Sequence, residues 1–316
     1  MCAMQTYTLM ASAKINLYLE IIGDRPDGYH ELVMILQSID LGDRLELRPN
    51  GTQTFRLNCS HPQVPTDNTN LAYRAAQLMK QEFSQAFANY GGVDITLDKH
   101  IPVAAGLAGG STDAAAVLVG LDLMWELGLT LPELQELGGK LGSDVPFCIA
   151  GGTAIATGRG EKLDPIEDID HLWVVLGKYQ SLEVSTPWAY QTYRQKFGDA
   201  YISDRPAVES RTFKVHSGPL VKAISHKDNT KIGQLLHNDL EKVVLPEYPQ
   251  VNHLREVMQQ AGGLGTMMSG SGPTVFTLCE SQEAAETIKN QARLAIEDAD
   301  LKFWVTKLSS NGIKVL

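Results

Sequence analysis

Pro102-Val103-Ala104-Ala105-Gly106-Leu107-Ala108-Gly109-Gly110-Ser111-Thr112-Asp113-Ala114-Ala115-Ala116 is the stretch from which the rest of the chain is read. Before it, Val93-Asp-Ile-Thr-Leu-Asp98 alternates apolar and polar residues, as a half-buried strand does. After it, an apolar run from Ala114 to Leu127 reads as a helix. The order is strand, glycine-rich loop, helix. Gly106, Gly109 and Gly110 lack a Cβ, so the backbone can turn sharply and approach a ligand. Ser111 or Thr112 is expected to cap the helix, with Asp113 in its first turn. Free N–H groups backed by the helix dipole then make an anion site, best suited to phosphate. The plainer alternative is a strand-to-helix turn that uses glycine for sterics alone.

The common nucleotide motifs are absent. No lysine follows the glycines as in a P-loop, and their spacing does not fit Gly-x-Gly-x-x-Gly. His-Arg-Asp and Asp-Phe-Gly are missing too. A phosphate loop without its own lysine must borrow positive charge from elsewhere.

The chain has 316 residues, room for two domains, with 43% hydrophobic and 20% charged residues. Its apolar runs are too short to span a bilayer. Met1 to Thr8 has neither the basic-then-apolar pattern of a secretory signal nor the arginines of a transit peptide. Cys2, Cys59, Cys148 and Cys279 are scattered, which suggests neither a disulfide framework nor a zinc site, and fits a reducing cytoplasm. A net charge of −10 argues against nonspecific nucleic-acid binding.

In order, Thr6–Met10 and Ile15–Ile22 read as strands, with Lys14 and Asn16 side by side on the less apolar face of the second. Arg25-Pro-Asp-Gly28 is a turn, followed by strands at 32–39, 43–47 and 54–59. Asn68 or Thr69 is expected to cap a helix over 71–83. Thr130-Leu-Pro-Glu133 is a capping box opening a helix over 131–141. A strand at 153–157 and a hairpin at Gly158-Arg-Gly160 follow. The second half predicts strands at 172–176, 266–269, 274–278 and 303–307, and helices over 188–196, 220–225, 232–243, 251–260 and 284–297. Without its helical insert this is strand, helix, strand, strand, helix, strand, the ferredoxin-like order. The expected boundary gives domains 1–167 and 168–316, near the acidic stretch 165–170.

Five segments carry the chemistry: Ala13-Lys-Ile-Asn-Leu17, Arg25-Pro-Asp-Gly-Tyr-His-Glu-Leu32, the glycine loop, Gly142-Ser-Asp-Val-Pro-Phe147 and Ser269-Gly-Ser-Gly-Pro273. On these the chain resembles the GHMP kinase superfamily (galactokinase, homoserine kinase, mevalonate kinase, phosphomevalonate kinase) over nearly its whole length, most weakly at 187–247. Ala-Lys-Ile-Asn-Leu with Asp-Gly-Tyr-His-Glu-Leu narrows the resemblance to the members that act on a cytidyl diphosphate. The family pattern has glycine where this chain has Ala108, and often serine where it has Thr112.

The resemblance implies an α+β, two-domain GHMP kinase fold, with an N-terminal domain like domain 2 of ribosomal protein S5 and a ferredoxin-like C-terminal domain. It implies ATP bound at 102–112, and magnesium, whose ligands the sequence does not reveal. It implies Asp144 as the base beside the reacting hydroxyl and Lys14 as its electrostatic partner. Asn16, Tyr29 and His30 would bind substrate, Tyr29 stacking on cytosine and His30 bonding its edge. The expected activity is transfer of the γ-phosphoryl of ATP to the 2-hydroxyl of a cytidyl-diphosphate-linked methylerythritol, in the non-mevalonate route to isoprenoid precursors. A cytoplasmic monomer or homodimer, with no nucleic-acid or membrane partner, is expected. Taken alone, Lys14 reads as a solvated strand lysine, Asp144 as a turn residue and Tyr29 as packing. The alternatives are a GHMP kinase for another alcohol, or a non-catalytic RNA-binding module of S5-like fold.

Overall fold

The computed structural model describes residues 5–316, so Cys2 and the first part of the Met1–Thr8 segment lie outside the described residues. The chain opens on two long strands, β1 (Tyr7–Asp24) and β2 (His30–Pro49), paired antiparallel around the Arg25–Gly28 turn. Each covers two of the expected strands. The join is a β-bulge, with a register shift at Ser12/Ala13, and two further shifts follow at Asn16/Tyr18 and Ile21/Gly23. A bulge keeps the ladder running while re-aiming side chains, and alternation is lost there. β3 (Arg56–Cys59), α1 (Leu71–Glu82), α2 (Ser84–Tyr90) and β4 (Val93–Asp98) follow. Asn70, not Asn68 or Thr69, caps α1, its Oδ1 accepting from the Ala72 N–H at 2.8 Å.

α3 (Gly109–Met124) leaves the glycine loop, then come α4 (Leu131–Leu141), α5 (Val145–Ala150), β5 (Thr153–Gly158) and β6 (Lys162–Pro165). The capping box at Thr130 forms as expected. α3 is buried nearly all round, Ala114 to Leu118 fully so, which is why its apolar run shows no stripe.

The second half runs β7 (Trp173–Tyr179), α6 (Thr186–Phe197), α7 (Arg205–His216), α8 (Pro219–Ser225), α9 (Asn229–Gln234), β8 (His237–Asn238), α10 (Glu241–Glu247), α11 (Pro249–Gln260), β9 (Gly265–Met268), β10 (Val275–Cys279), α12 (Gln282–Ala295), β11 (Leu301–Ser309) and β12 (Ile313–Val315). Its strands lie in the order β11-β7-β10-β9, all neighbours antiparallel. With α11 and α12 between strands, this is the ferredoxin-like arrangement.

The helix expected over 232–243 is instead α9, β8 and α10. Asn238 explains the break: its Nδ2 donates to the Met268 and Gly270 carbonyls, both at 2.8 Å. Asp239 Oδ2 accepts the Ile21 N–H at 2.9 Å. Such tertiary bonds override helical periodicity. The halves interlock. β11 pairs with both β2 and β7, and β12 returns to β1, so the chain's last strand packs with the first half. Among the described residues no helix is long and apolar enough to cross a membrane.

Candidate active site

A cleft of about 920 Å³ opens over the glycine loop. Its lining brings together segments far apart in sequence: Lys14 and Asn16 of β1, Tyr29 and His30 at the β1–β2 turn, Pro102 to Ser111, Asp144 before α5, Tyr190 and Arg194 of α6, and Gly270 and Ser271.

The loop is shaped by left-handed backbone. Gly106 has φ +72°, and a Cβ there would collide with the Ser269 carbonyl of the second glycine turn. The Ser269 hydroxyl donates to the Gly106 carbonyl at 3.2 Å, so the two turns are in contact. Ala108, at the position immediately before α3, has φ +60°. Left-handed backbone costs an alanine roughly 1–2 kcal/mol, while glycine in its place adds about 0.4–1 kcal/mol of unfolded-state entropy. Ala108→Gly should therefore leave stability unchanged or raise it by up to about 1.6 kcal/mol, as read by urea unfolding. Ala115→Gly, inside buried α3, should lose at least about 1 kcal/mol. Equal losses for both variants would contradict the strained backbone at Ala108.

The helix starts at Gly109, one turn earlier than its hydroxyl residues suggest. No side chain caps it. Thr112 is turned away from the cleft: it is fully buried, and its hydroxyl donates to the Ser12 carbonyl at 2.8 Å. The Thr112 N–H bonds to the Ala108 carbonyl at 2.9 Å. Thr112, expected among the ligand-binding residues, thus has both its hydroxyl and its amide bonded within the protein. Gly109, Gly110 and Ser111 precede that first helical bond, so their amides are the ones left for an anion. Asp113 is the fifth helical residue, not a first-turn acid.

Lys14 and Asn16 share a face as expected, though both are buried rather than solvated. The bulged β1 points them inward, and Lys14 Nζ donates to Asn16 Oδ1 at 2.8 Å. Lys14 Nζ also stands 3.8 Å from Asp144 Oδ2. The second glycine turn presses on this pair, since a Cβ at Gly270 would lie 3.3 Å from Asn16 Oδ1 and 3.7 Å from Lys14 Nζ. An ammonium and a carboxylate beside an anion cradle can hold a hydroxyl, accept its proton and offset charge on a phosphoryl group.

His30 is buried, its ring 5.2 Å from that of Tyr190 and edge-on to Tyr201 at 5.9 Å. Desolvation first, then the Arg194 charge, push its pKa below the usual histidine value, so the ring is neutral at neutral pH. Its Nε2 is buried without a hydrogen-bond partner. A buried polar atom of this kind lining a cleft is suited to a ligand. Tyr29 is exposed, with the Arg159 guanidinium 4.9 Å from its ring centroid. Arg194 ties α6 to the turn through Asp24 at 2.6 Å.

Some cleft residues were not found in the sequence. Tyr190 and Arg194 sit in a helix whose periodicity says nothing about the turn it faces. Lys99 carried one signal: it lies just before a loop that lacked a cation of its own. Its Nζ reaches both Asp43 and Asp113.

Comparison with known proteins shows the family to which the chain belongs. The GHMP kinases N terminal domain model matches residues 70–152 and the GHMP kinases C terminal model residues 220–298. A 4-diphosphocytidyl-2-C-methyl-D-erythritol kinase of Gloeothece citriformis (strain PCC 7424) is 72% identical over 312 residues, 99% of this chain and 99% of that protein. A crystal structure of a 4-(cytidine 5'-diphospho)-2C-methyl-D-erythritol kinase matches with a TM-score of 0.73 at 32% identity, covering 96% of this chain and 99% of that one. The homoserine kinase of Cytophaga hutchinsonii shares the fold with a TM-score of 0.76 at 19% identity, covering 100% of this chain and 99% of that one. The chain is therefore a GHMP kinase, and within that superfamily it belongs to the 4-diphosphocytidyl-2-C-methyl-D-erythritol kinases.

Proposed function

We propose that this kinase transfers the γ-phosphoryl of ATP to the 2-hydroxyl of 4-diphosphocytidyl-2-C-methyl-D-erythritol, giving the 2-phosphate and ADP in the cytoplasm. One observation carries the reading: Lys14 and Asp144 stand 3.8 Å apart in the cleft that the glycine loop lines. The amides of Gly109, Gly110 and Ser111 bind the phosphates. Asp144 orients the acceptor hydroxyl and takes its proton as the O–P bond forms. Lys14 offsets charge on the transferred group and is itself held by Asn16. Phosphoryl transfer asks for this kind of positioning and charge rather than for covalent chemistry. Magnesium needs few protein ligands, because it keeps several waters and is held largely by substrate phosphates. No group of three or more His, Cys, Asp or Glu poised to hold a metal occurs among the described residues, so the chain fits a metal that arrives with ATP. Bound with the nucleotide beside the Gly109, Gly110 and Ser111 amides, it would supply positive charge that offsets the phosphate charge.

His30 and Tyr29 read the cytosine, and Tyr190 closes the far side of His30. The test is an ADP-coupled assay with ATP and the cytidyl substrate, with the product identified as the 2-phosphate. Turnover of homoserine or mevalonate but not of the cytidyl compound would overturn the reading.

Gly110 separates the nucleotide from the acceptor side. A Cβ there meets only Leu71 Cδ1, at 3.8 Å, and the backbone is not left-handed. Gly110→Val should fold normally yet crowd the phosphates, raising the KM for ATP about tenfold or more. The KM for the cytidyl substrate should stay within about twofold. Unchanged ATP kinetics in a folded variant would remove the loop from the nucleotide site.

A further inference from the structure

Behind the glycine loop three ionisable side chains meet away from water. Lys99 Nζ donates to Asp113 Oδ2 at 2.7 Å and to Asp43 Oδ2. Their side chains are 4%, 3% and 0% exposed, for Lys99, Asp113 and Asp43. With both acids ionised, one ammonium and two carboxylates leave a net charge of −1. That sign is wrong for the neighbourhood of a phosphate. Yet Lys99 and Asp113 both line the cleft, and the Cβ position at Gly109 lies 3.4 Å from Lys99 Nζ.

The two carboxylates are not equivalent. Asp43 Oδ1 accepts the N–H groups of His100 at 2.6 Å and Ile101 at 2.9 Å, while Oδ2 accepts Lys99. Both of its oxygens are therefore hydrogen-bonded to N–H donors. Asp113 has Lys99 on Oδ2, and its Oδ1 is buried without a partner. Burial, the largest influence on Asp113, raises its pKa. The Asp43 charge raises it further, and Lys99 only partly opposes this. Lys99 and Asp43 are the charged groups that act on Asp113. Cys148 of α5 and Cys59 at the end of β3 also sense it, and burial keeps both thiols protonated.

We propose that Asp113 takes a proton from solvent when nucleotide binds, so that Lys99 serves the glycine loop as the cation it otherwise lacks. This rests on the glycine loop being the nucleotide site. A polyphosphate close to the trio disfavours a second free carboxylate, so the Asp113 pKa in the complex lies above that of the free enzyme. The sign follows. Affinity is greatest below the free-enzyme pKa and falls as pH rises toward the bound value, by at most about tenfold per pH unit.

The experiment is calorimetric titration of the whole enzyme with magnesium and a non-hydrolysable ATP analogue, in two buffers of different ionisation heat. The pH runs from about 6 to about 8.5. The unmodified enzyme should take up a fraction of a proton per nucleotide near neutrality, and its Kd should rise with pH. Asp113→Asn, nearly isosteric and without the titration, should show only the nucleotide's own proton exchange and a flatter Kd profile. Infrared difference spectra of the unmodified enzyme should gain the carbonyl band of a protonated carboxyl on binding, which needs no variant to fold. Nucleotide binding with the same proton count in both proteins and no such band overturns the proposal alone. A complete absence of nucleotide binding overturns the loop assignment, and the proposal with it.

Discussion

Asp144→Asn should give a folded enzyme that binds both substrates and turns over about 10²–10⁴-fold more slowly. Asparagine keeps the shape and one acceptor oxygen but cannot take a proton. Asp144 is part-exposed at the cleft, its side chain 34% accessible, so the change strains no packed core. Both KM values should hold while kcat falls, the pattern of an interaction made in the transition state. Lys14→Ala should also lower kcat. If the two groups act as a unit, the double variant should be little slower than the worse single one. Steady-state kinetics together with calorimetric binding of the cytidyl substrate check this. An Asp144→Asn enzyme with near-native kcat would leave the transfer to positioning and charge alone.

The second large effect is on the choice of base. The enzyme should prefer the cytidyl substrate to its uridyl analogue by at least tenfold to a hundredfold in kcat/KM. Cytosine and uracil present opposite donors and acceptors at positions 3 and 4. A buried group matched to one is left unpaired by the other, at about 1–3 kcal/mol for each lost bond, and 1.4 kcal/mol is tenfold. The buried Nε2 of His30, which has no hydrogen-bond partner and lies 3.8 Å from Asp24 Oδ1, is such a group. His30→Ala should lower kcat/KM for the cytidyl substrate and shrink the preference. Because His30 is held neutral, the preference should persist on the alkaline side of its titration and weaken as acid protonates the ring. Equal kcat/KM for both analogues would remove the Tyr29–His30 corner from base recognition.

Much of this was legible in the residues because it rests on local rules. The glycine loop between an alternating strand and an apolar helix, the Thr130 capping box and the alternation of β-strand faces depend on neighbours along the chain, and all are found in the structure. The pairing of Lys14 with Asn16 follows from strand period alone. The family motifs carried the rest of the expected site.

Tertiary structure decided what depends on distant contacts. Thr112 carries a capping hydroxyl by type, yet the Ser12 carbonyl from another element claims it and turns it into the core. The run 232–243 has helical periodicity, yet Asn238 is drawn out to bridge two carbonyls beside the second glycine turn. The closeness of Lys14 to Asp144 is a product of the bulged β1 lying beneath the start of α5, and no spacing of 130 residues encodes it. The same holds for the Lys99 trio, whose members lie 14 and 56 residues apart in sequence. Only burial makes one ammonium between two carboxylates a question of where a proton resides, because the cost of an unpaired charge appears when water is gone.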